Sequence, residues 1–245
     1  MSQLVSVCLI TYDRPELLEE AIECFLKQTY QNKELIIVND RPEQKLVFNH
    51  PRVKIHNLQE RFTCCGDKRK FSASLAQGEY IQFWDDDDIH LPWHIDDCIT
   101  RLQYFTKPVS RANYYWNNFN GHHYVLKYSG WVHTLHIHRD LYKLSGGHKS
   151  ITRNEDIDFI KTLLTKKLLS HYRIPPMEPS FIYNVVTGRS QITRCIEGNE
   201  DQHELRWQKV KDEADLRNLC GTINLVPHWK HDYVQKSHDS WSKVK

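Results

Sequence analysis

The fold is decided by one stretch, Gly78-Glu79-Tyr80-Ile81-Gln82-Phe83-Trp84-Asp85-Asp86-Asp87-Asp88-Ile89-His90-Leu91-Pro92. It begins with a turn glycine, continues as a short apolar strand, and ends in four carboxylates before a proline suited to the first turn of a helix. Open α/β sheets bind ligands at the carboxyl ends of their strands. Oxygen ligands suit Mg²⁺ and Mn²⁺, which bridge phosphates to protein. The stretch therefore predicts a metal–phosphate site, and an acidic loop that binds no ion is the alternative.

The composition limits the class of protein. The chain has 245 residues, which is compatible with one large α/β domain or with one domain and an extension. A net charge of +2 gives no general attraction to nucleic acid or to anionic membranes. No run approaches the length of a membrane span, and the first residues lead directly into a strand, so no signal peptide is expected. The seven cysteines are scattered without a C-x-x-C pair, which predicts reduced thiols and a cytoplasmic location.

Apolar runs and helical periodicities alternate in the first half of the chain. An almost continuous apolar run is typical of a strand that is covered on both faces of a parallel sheet. The predicted strands are residues 4–10, 34–39, 53–56 and the run before Asp85, and the predicted helices are residues 15–28, 71–77 and 92–105. This order predicts an α/β fold with a mixed, mainly parallel central sheet of the nucleotide-binding kind, although neither G-x-G-x-x-G nor a P-loop is present.

The second half has a different pattern. Asn120-Gly121 predicts a hairpin turn between aromatic strands, and Asn154 is a suitable N-cap for a helix that begins with two acids. A strand at 135–138, a short helix at 139–144, a strand at 181–186 and a charged helix at 200–219 complete the predicted elements. We expect one compact domain with a C-terminal extension.

The ordered set of motifs resembles the family 2 glycosyltransferases. The motifs are Val5-Ser6-Val7 with Thr11-Tyr12, Gln28-Thr29-Tyr30, the run from Glu34 to Asp40, and Gly78-Glu79-Tyr80-Ile81 with Asp85 to Asp88. The resemblance covers residues 4–105 and extends more weakly to about Arg194. It implies an inverting enzyme of the GT-A fold that uses nucleotide-diphosphate sugars. On this basis residues 1–105 form the nucleotide-sugar-binding half, residues 106–198 the acceptor-binding and catalytic-base half, and residues 199–245 a helical extension and tail.

The resemblance assigns a donor-binding role to residues in the first half. Thr11 and Tyr12 match the turn where the nucleotide base packs, and Asp40 matches the carboxylate that accepts from uracil N3–H in relatives that use UDP-sugars. Relatives often have Asp-Asp-Gly-Ser where this chain has Asn39-Asp40-Arg41-Pro42, so the identity of the base stays open. Arg69 matches a basic residue that approaches the nucleotide or its phosphates.

The resemblance also implies a metal. Asp85 and Asp87 match the D-x-D motif, in which the first carboxylate faces the ribose or the metal's waters and the second ligates Mn²⁺ or Mg²⁺. Asp86 is grouped with the donor-binding residues, and both it and Asp88 either assist the motif or are solvated. His228 is the candidate for a further metal ligand because many GT-A enzymes supply a late histidine, and a surface position is its alternative.

Asp156 aligns with the general base of the family. An inverting transfer needs one carboxylate to take the proton of the acceptor hydroxyl as its oxygen attacks. The alternative for Glu155-Asp156 is the first-turn acidic charge that is common at helix starts. Arg194 lies where relatives carry a loop over the donor, and an arginine fork suits a diphosphate. The alternative is an exposed loop arginine.

These assignments predict a metal-dependent inverting glycosyltransferase that moves a sugar from a nucleotide-diphosphate donor to an acceptor hydroxyl of a glycan. The expected donor is a UDP-sugar. No nucleic-acid partner and no integral membrane segment are expected. Two other classes stay open: a catalytically silent nucleotide-binding module of the same fold, and a metal-dependent enzyme of nucleotidyl or phosphoryl transfer.

Overall fold

The protein was described from a computed structural model, which covers residues 2–105, 109–111, 114–119, 123–128, 134–152, 154–169, 178–185 and 219–244. The helices are α1 (Pro15–Leu26), α2 (Cys65–Ser74), α3 (His94–Phe105), α4 (Arg139–Ser145), α5 (Glu155–Thr165) and α6 (Tyr233–Ser242). The strands are β1 (Val5–Thr11), β2 (Lys33–Asn39), β3 (Gln44–Val47), β4 (Val53–Asn57), β5 (Tyr80–Asp85), β6 (Ile89–His90), β7 (Val109–Ser110), β8 (Tyr114–Phe119), β9 (His123–Tyr128), β10 (His136–His138), β11 (Phe181–Val185) and β12 (Gly221–Asn224).

The central sheet has the strand order β4-β2-β1-β5-β10-β7. The pairs β4·β2, β2·β1 and β1·β5 are parallel, whereas β10 runs antiparallel to both β5 and β7. Strand β2 is buried along its whole length, and its apolar run from Leu35 to Val38 is typical of a strand covered on both faces. The predicted α/β fold with a mainly parallel sheet is confirmed.

The parallel register brings the functional residues to one edge. Thr11 is paired with Asn39, and Ile10 is paired with Asp85, so β1, β2 and β5 end level with one another. The turn before β5 is tight: a Cβ on Gly78 would lie 2.7 Å from the backbone nitrogen of Ser6, and therefore only glycine fits there.

A second sheet, in the order β6-β11-β8-β9, lies beside the first. Strand β6 follows the acidic run and pairs with β11, which fixes the chain after Asp88 against the second half of the protein. The amide of Asn184 on β11 donates to the Asp88 carboxylate over 3.1 Å. The acidic stretch is therefore held from both halves.

The C-terminal segment is part of the core. Strand β12 pairs with β3, and Tyr233 and Trp241 of α6 are buried in the same apolar cluster as α1. Ser237 accepts a 2.8 Å hydrogen bond from the indole of Trp116 on β8. A tail that follows the domain in sequence thus packs between α1 and the second sheet.

Among the described residues, no helix is both long enough and apolar enough to cross a membrane.

Several local predictions were wrong in their bounds. Helix α2 begins at Cys65 and ends at Ser74, whereas the apolar pattern placed a helix at 71–77. Its first turns carry Lys68 and Arg69, which are buried by ion pairs and so leave no apolar periodicity to detect. The short strands β3, β6, β7 and β12 and helix α6 were not predicted. The Asn120-Gly121 turn and residues 200–218 of the predicted charged helix lie outside the described residues.

Candidate active site

Three carboxylates of the acidic run point to a common centre. Asp85, Asp87 and Asp88 each offer one oxygen, and these oxygens lie within 4.8 Å of one another. Asp88 is 2% exposed, and burial together with the charges of Asp87 and Asp85 raises its pKa well above the ordinary value. Anionic oxygens forced this close fit a hard divalent cation, which would relieve their repulsion. Asp88 was expected to be either an assistant or solvated, and the structure buries it as part of this trio.

Asp86 is held apart from the other three. Its carboxylate accepts a 2.6 Å hydrogen bond from the Thr11 hydroxyl and forms an ion pair with Arg14, whose guanidinium also reaches Asp87 over 3.0 Å. Burial raises the pKa of Asp86 to about 6, and the Arg14 charge opposes that rise. The hydrogen bond between Thr11 and Asp86 fixes the end of β1 against the end of β5. Because the Asp86 side chain has no exposed surface, it does not face the cleft.

Arg69 joins the acidic run to the second half of the site. Its side chain donates to Asp85 over 2.6 Å and to Glu155 over 3.1 Å, while only 8% of it is exposed. Burial opposes the charge of Arg69, but Asp85, Glu155 and Asp156 together raise its pKa well above the ordinary value. The guanidinium is therefore a permanent cation among the carboxylates of β5 and α5.

Asp156 lies in the first turn of α5, where the backbone amides are unpaired within the helix. Its Oδ1 accepts a 2.6 Å hydrogen bond from the Ile157 amide. Asn154 before it has φ 56°, a left-handed conformation that asparagine tolerates, and this turns the chain into the helix. Asp156, Arg69 and His148 line a small cavity whose other walls are apolar. Burial raises the pKa of the neighbouring Glu155.

A cleft beside the acidic run is lined by the end of β1 and the start of α2. It encloses about 410 Å³, part of which is open to solvent, and its walls include Thr11, Tyr12, Asp40, Arg61 and Lys68. The Arg61 guanidinium lies 3.9 Å from the centre of the Tyr12 ring. A flat aromatic wall beside buried polar groups suits a heteroaromatic ligand.

The structure brings most of the predicted site residues together. Thr11, Tyr12 and Asp40 line the cleft or border it, whereas Arg69, Asp85, Asp86, Asp87 and Asp156 form a continuous charged group next to it. Arg194 lies outside the described residues.

His228 is not brought to the acidic trio. Its ring nitrogen lies 2.8 Å from the Val226 carbonyl and 3.8 Å from Glu19 on α1, because the chain after β12 runs along that helix. In the described part of the chain, the group of candidate metal ligands consists of the three carboxylates alone.

Sequence reasoning missed three basic residues. Arg14 follows the Thr11-Tyr12 turn, Arg61 lies in a loop, and Lys68 is one residue before Arg69. Arg14 could have been found from the need of four adjacent carboxylates for a nearby cation. Nothing in the local pattern distinguishes Arg61 or Lys68 from surface residues.

Comparison with known proteins places this geometry in a family. A model described as "Glycosyl transferase family 2" matches residues 6–164. The glycosyltransferase GlyG of Streptococcus pneumoniae is 33% identical over 122 residues, which cover 47% of this chain and 40% of the relative. The putative colanic acid biosynthesis glycosyl transferase WcaA of Escherichia coli is 33% identical over 124 residues, 47% of this chain and 43% of the relative. The matched region thus spans less than half the length of these two relatives.

Solved structures agree in fold. TarS of S. aureus (residues 1–349, in complex with UDP-GlcNAc) superposes with a TM-score of 0.59 and 15% identity over 86% of this chain and 66% of that one. The mannosyltransferase PcManGT of Pyrobaculum calidifontis, in complex with GDP-Man and Mn²⁺, gives a TM-score of 0.55 and 13% identity over 89% and 65%. The chain therefore belongs to glycosyl transferase family 2 and has the GT-A fold.

Proposed function

We propose that the protein transfers a sugar, with inversion, from a nucleotide-diphosphate sugar to an acceptor hydroxyl and depends on Mn²⁺ or Mg²⁺ to do so. The observation that carries this proposal is the carboxylate trio at the end of β5, which lies between a cleft suited to a heteroaromatic base and the carboxylates of α5. A UDP-sugar is the proposed donor. The structure of TarS is a complex with UDP-GlcNAc and that of PcManGT a complex with GDP-Man, and these complexes support the nucleotide-sugar class.

The residues divide the donor between them. Thr11 and Tyr12 would pack on the base, Asp40 would accept from a ring N–H, and Asp85, Asp87 and Asp88 would hold the cation. When bound, the cation neutralises charge as it builds on the departing diphosphate. Arg69 keeps Asp85 oriented and contributes positive charge on the same side, and Asp86 with Arg14 fixes the turn that carries the trio. Arg194 remains our candidate for a contact with the diphosphate.

Asp156 is the proposed general base. A carboxylate at a helix N-terminus stays ionised at neutral pH, although the helix dipole lowers its basicity. Arg69 lies among Asp85, Glu155 and Asp156, so the cation side and the base side of the site are linked through one side chain. Glu155 stays paired with Arg69 and supports this arrangement. The acceptor is proposed to be a glycan hydroxyl, a class that is supported by the E. coli relative, a putative colanic acid biosynthesis glycosyl transferase.

Calorimetric titration with UDP and GDP, with and without Mn²⁺, tests the donor and the cation together. Binding that requires Mn²⁺ supports the proposal, and the nucleotide that binds more tightly identifies the donor class. Binding without any sugar transfer would favour a silent module, whereas release of pyrophosphate in place of a nucleoside diphosphate would favour nucleotidyl transfer.

Asp156→Asn tests the base. The variant should bind nucleotide as the native protein does and lose transfer by about 10²- to 10⁴-fold, the usual contribution of general base catalysis. Its matched control is Asp158→Asn in the same turn of α5, where the carboxylate pairs with the exposed Lys149 over 2.8 Å. Full turnover in Asp156→Asn would remove Asp156 from the base role.

A further inference from the structure

Lys68 and Asp40 form a buried pair at the base of the cleft. Lys68 Nζ donates to Asp40 Oδ1 over 2.5 Å and to the Thr11 carbonyl over 2.6 Å. The second Asp40 oxygen accepts from the Phe62 amide over 3.1 Å. Lys68 is 5% and Asp40 3% exposed, and both line the cleft. Removing a buried ammonium from water is unfavourable, and Asp40 offsets that cost.

The pair has hydrogen-bonding capacity left over. An ammonium has three N–H donors, and among the described residues Lys68 uses two of them. A carboxylate accepts about four hydrogen bonds, and Asp40 receives two within the same part of the chain. The cleft therefore presents one acceptor that can only accept and, next to it, one donor that can only donate.

We propose that Lys68 is a specificity-determining residue, which together with Asp40 selects donors whose base carries a ring N–H beside a carbonyl. Uracil has this edge at N3–H and its neighbouring carbonyls, and guanine has it at N1–H and O6. Cytosine and adenine present a ring nitrogen without a hydrogen at that position and an amine beside it, so both hydrogen bonds are mismatched. The inference rests on the proposed function, because it assumes that the cleft holds the base of the donor.

The connection between the Lys68–Asp40 pair and the acidic trio strengthens the selection of the base. Thr11 connects the two places, since its carbonyl accepts from Lys68 and its hydroxyl donates to Asp86 over 2.6 Å. Cytosine or adenine could satisfy the pair only by shifting along its edge by one atom. Such a shift would move the ribose and the diphosphate relative to the trio, so a mismatched base also loses cation-dependent binding.

Titration of the full chain with UDP, GDP, CDP and ADP in the presence of Mn²⁺ is the test. UDP or GDP should bind at least about tenfold more tightly than CDP and ADP, because a mismatch leaves buried polar groups unpaired. Equal binding of all four nucleotides would overturn the inference and leave the proposed function standing. Binding of none would remove the proposed function and this inference with it.

Two variants separate selection from simple stability. Lys68→Met should reduce the ratio between the Kd of CDP and the Kd of UDP or GDP, whichever the native protein prefers, to within about threefold, since one of the two discriminating hydrogen bonds is lost. Lys70→Met is the matched control, because Lys70 lies on the same helix but pairs with Asp67 over 2.9 Å. A folding defect would weaken all four nucleotides alike and leave the ratio unchanged. If Lys68→Met does not fold, Lys68→Gln provides the same readout, because its amide can either donate to the carbonyl of uracil or guanine or accept from the amine of cytosine or adenine.

A native ratio retained in Lys68→Met, or in Lys68→Gln where that variant replaces it, would overturn the role of Lys68. A ratio that collapses in the variant and persists in Lys70→Met supports it.

Discussion

Two clusters of wholly or partly buried titratable side chains differ in how their charge is stabilised. The carboxylates of Asp85, Asp86 and Asp87 are joined to the guanidinium groups of Arg14 and Arg69, and Asp88 accepts from the Asn184 amide. The imidazoles of His90, His94 and His136 are buried and form no ion pair with a carboxylate among the described residues. Burial lowers the pKa of each, to about 3 for His94 and His136, and the charge of Arg101 acts in the same direction on His94. The first cluster is kept polar and compensated, whereas the second is kept neutral.

The difference follows from what surrounds each cluster. His90 stacks on Trp84 with ring centres 3.8 Å apart, and neither of its ring nitrogens has a hydrogen-bond partner among the described residues. A neutral ring tolerates this environment, but a charged ring would not. The carboxylates border a cleft and lie beside fixed cations, so charge is stabilised there and available to a ligand. Burial alone therefore does not distinguish the two clusters; the presence of compensating charge beside an open cleft does.

Among the substitutions that test the difference between the two clusters, we expect the largest effect on nucleotide binding and on transfer at Asp87. Asp87→Ala should abolish Mn²⁺-dependent nucleotide binding and lower transfer about a thousandfold, because a cation ligand contributes several kcal/mol to stabilising the transition state. Calorimetry and a transfer assay measure both. Asp140→Ala, at an exposed acid on α4, is the control. Unchanged Mn²⁺-dependent binding in Asp87→Ala would make the trio an ordinary acidic surface.

Arg14→Met tests the compensation of the acidic cluster. It leaves the buried Asp86 without its ion pair, so the free energy of unfolding should fall by about 3 kcal/mol. Lys149→Met breaks an exposed pair with Asp158 and should cost less than about 1 kcal/mol. Urea denaturation at pH 7.5 measures both variants. Equal losses would mean that Arg14 does not compensate Asp86.

His90→Phe tests whether the buried imidazole of His90 is neutral in the folded protein. The unfolded chain binds a proton at His90 near pH 6.5, whereas the folded protein binds it only at much lower pH, so native stability is lost as the pH falls through 6.5. Phenylalanine removes this linkage and keeps the stack on Trp84. The difference in the free energy of unfolding between the variant and the native protein should therefore shift in favour of the variant by about 2 kcal/mol when the pH is lowered from 7.5 to 5.

Urea denaturation at the two pH values measures this difference. The same substitution at His238, whose side chain is 50% exposed, is the control and should not reproduce it. A pH dependence that is identical in His90→Phe and the native protein would contradict the neutral, buried state of His90.

The smallest effect is expected at an imidazole outside both clusters. His228 contacts Glu19 and the Val226 carbonyl, so His228→Ala should leave Mn²⁺-dependent nucleotide binding within about twofold of the native value. Calorimetry with and without Mn²⁺ measures this. A loss comparable to that of Asp87→Ala would restore the late histidine as a ligand.

Much of the site could be predicted because its residues are close in sequence or follow recognisable strands. The apolar runs that end at Thr11, Asn39 and Asp85 predicted parallel strands, and parallel strands place their carboxyl ends at one edge. Arg61 and Lys68 could not be found in this way, because a basic residue that will be buried looks the same in sequence as one on the surface. The partner of Lys68, Asp40, is 28 residues away in sequence, and the Tyr12 ring next to Arg61 is also distant in sequence, so only the folded chain reveals these contacts.

The C-terminal segment shows the same limit. Residues 199–245 were expected to form a helical extension and tail. In the part that the structure describes, Tyr233 and Trp241 are buried in the core cluster that contains residues of α1, Trp229 packs against this cluster, and the Tyr233 hydroxyl donates to the buried Glu20 over 2.5 Å. Helical periodicity in ten residues is weak evidence, and the face that becomes buried is chosen by a helix more than two hundred positions earlier.

Local propensity and short motifs were enough to predict the main strands of the first half of the chain, the strand that ends in the acidic run, and the resemblance to the family. Tertiary structure alone decided which of the four aspartates face a common centre, that Lys68 pairs with Asp40, and that His228 lies away from the trio. Pairing of charges depends on distance and burial, and neither is set until strands distant in sequence pack side by side.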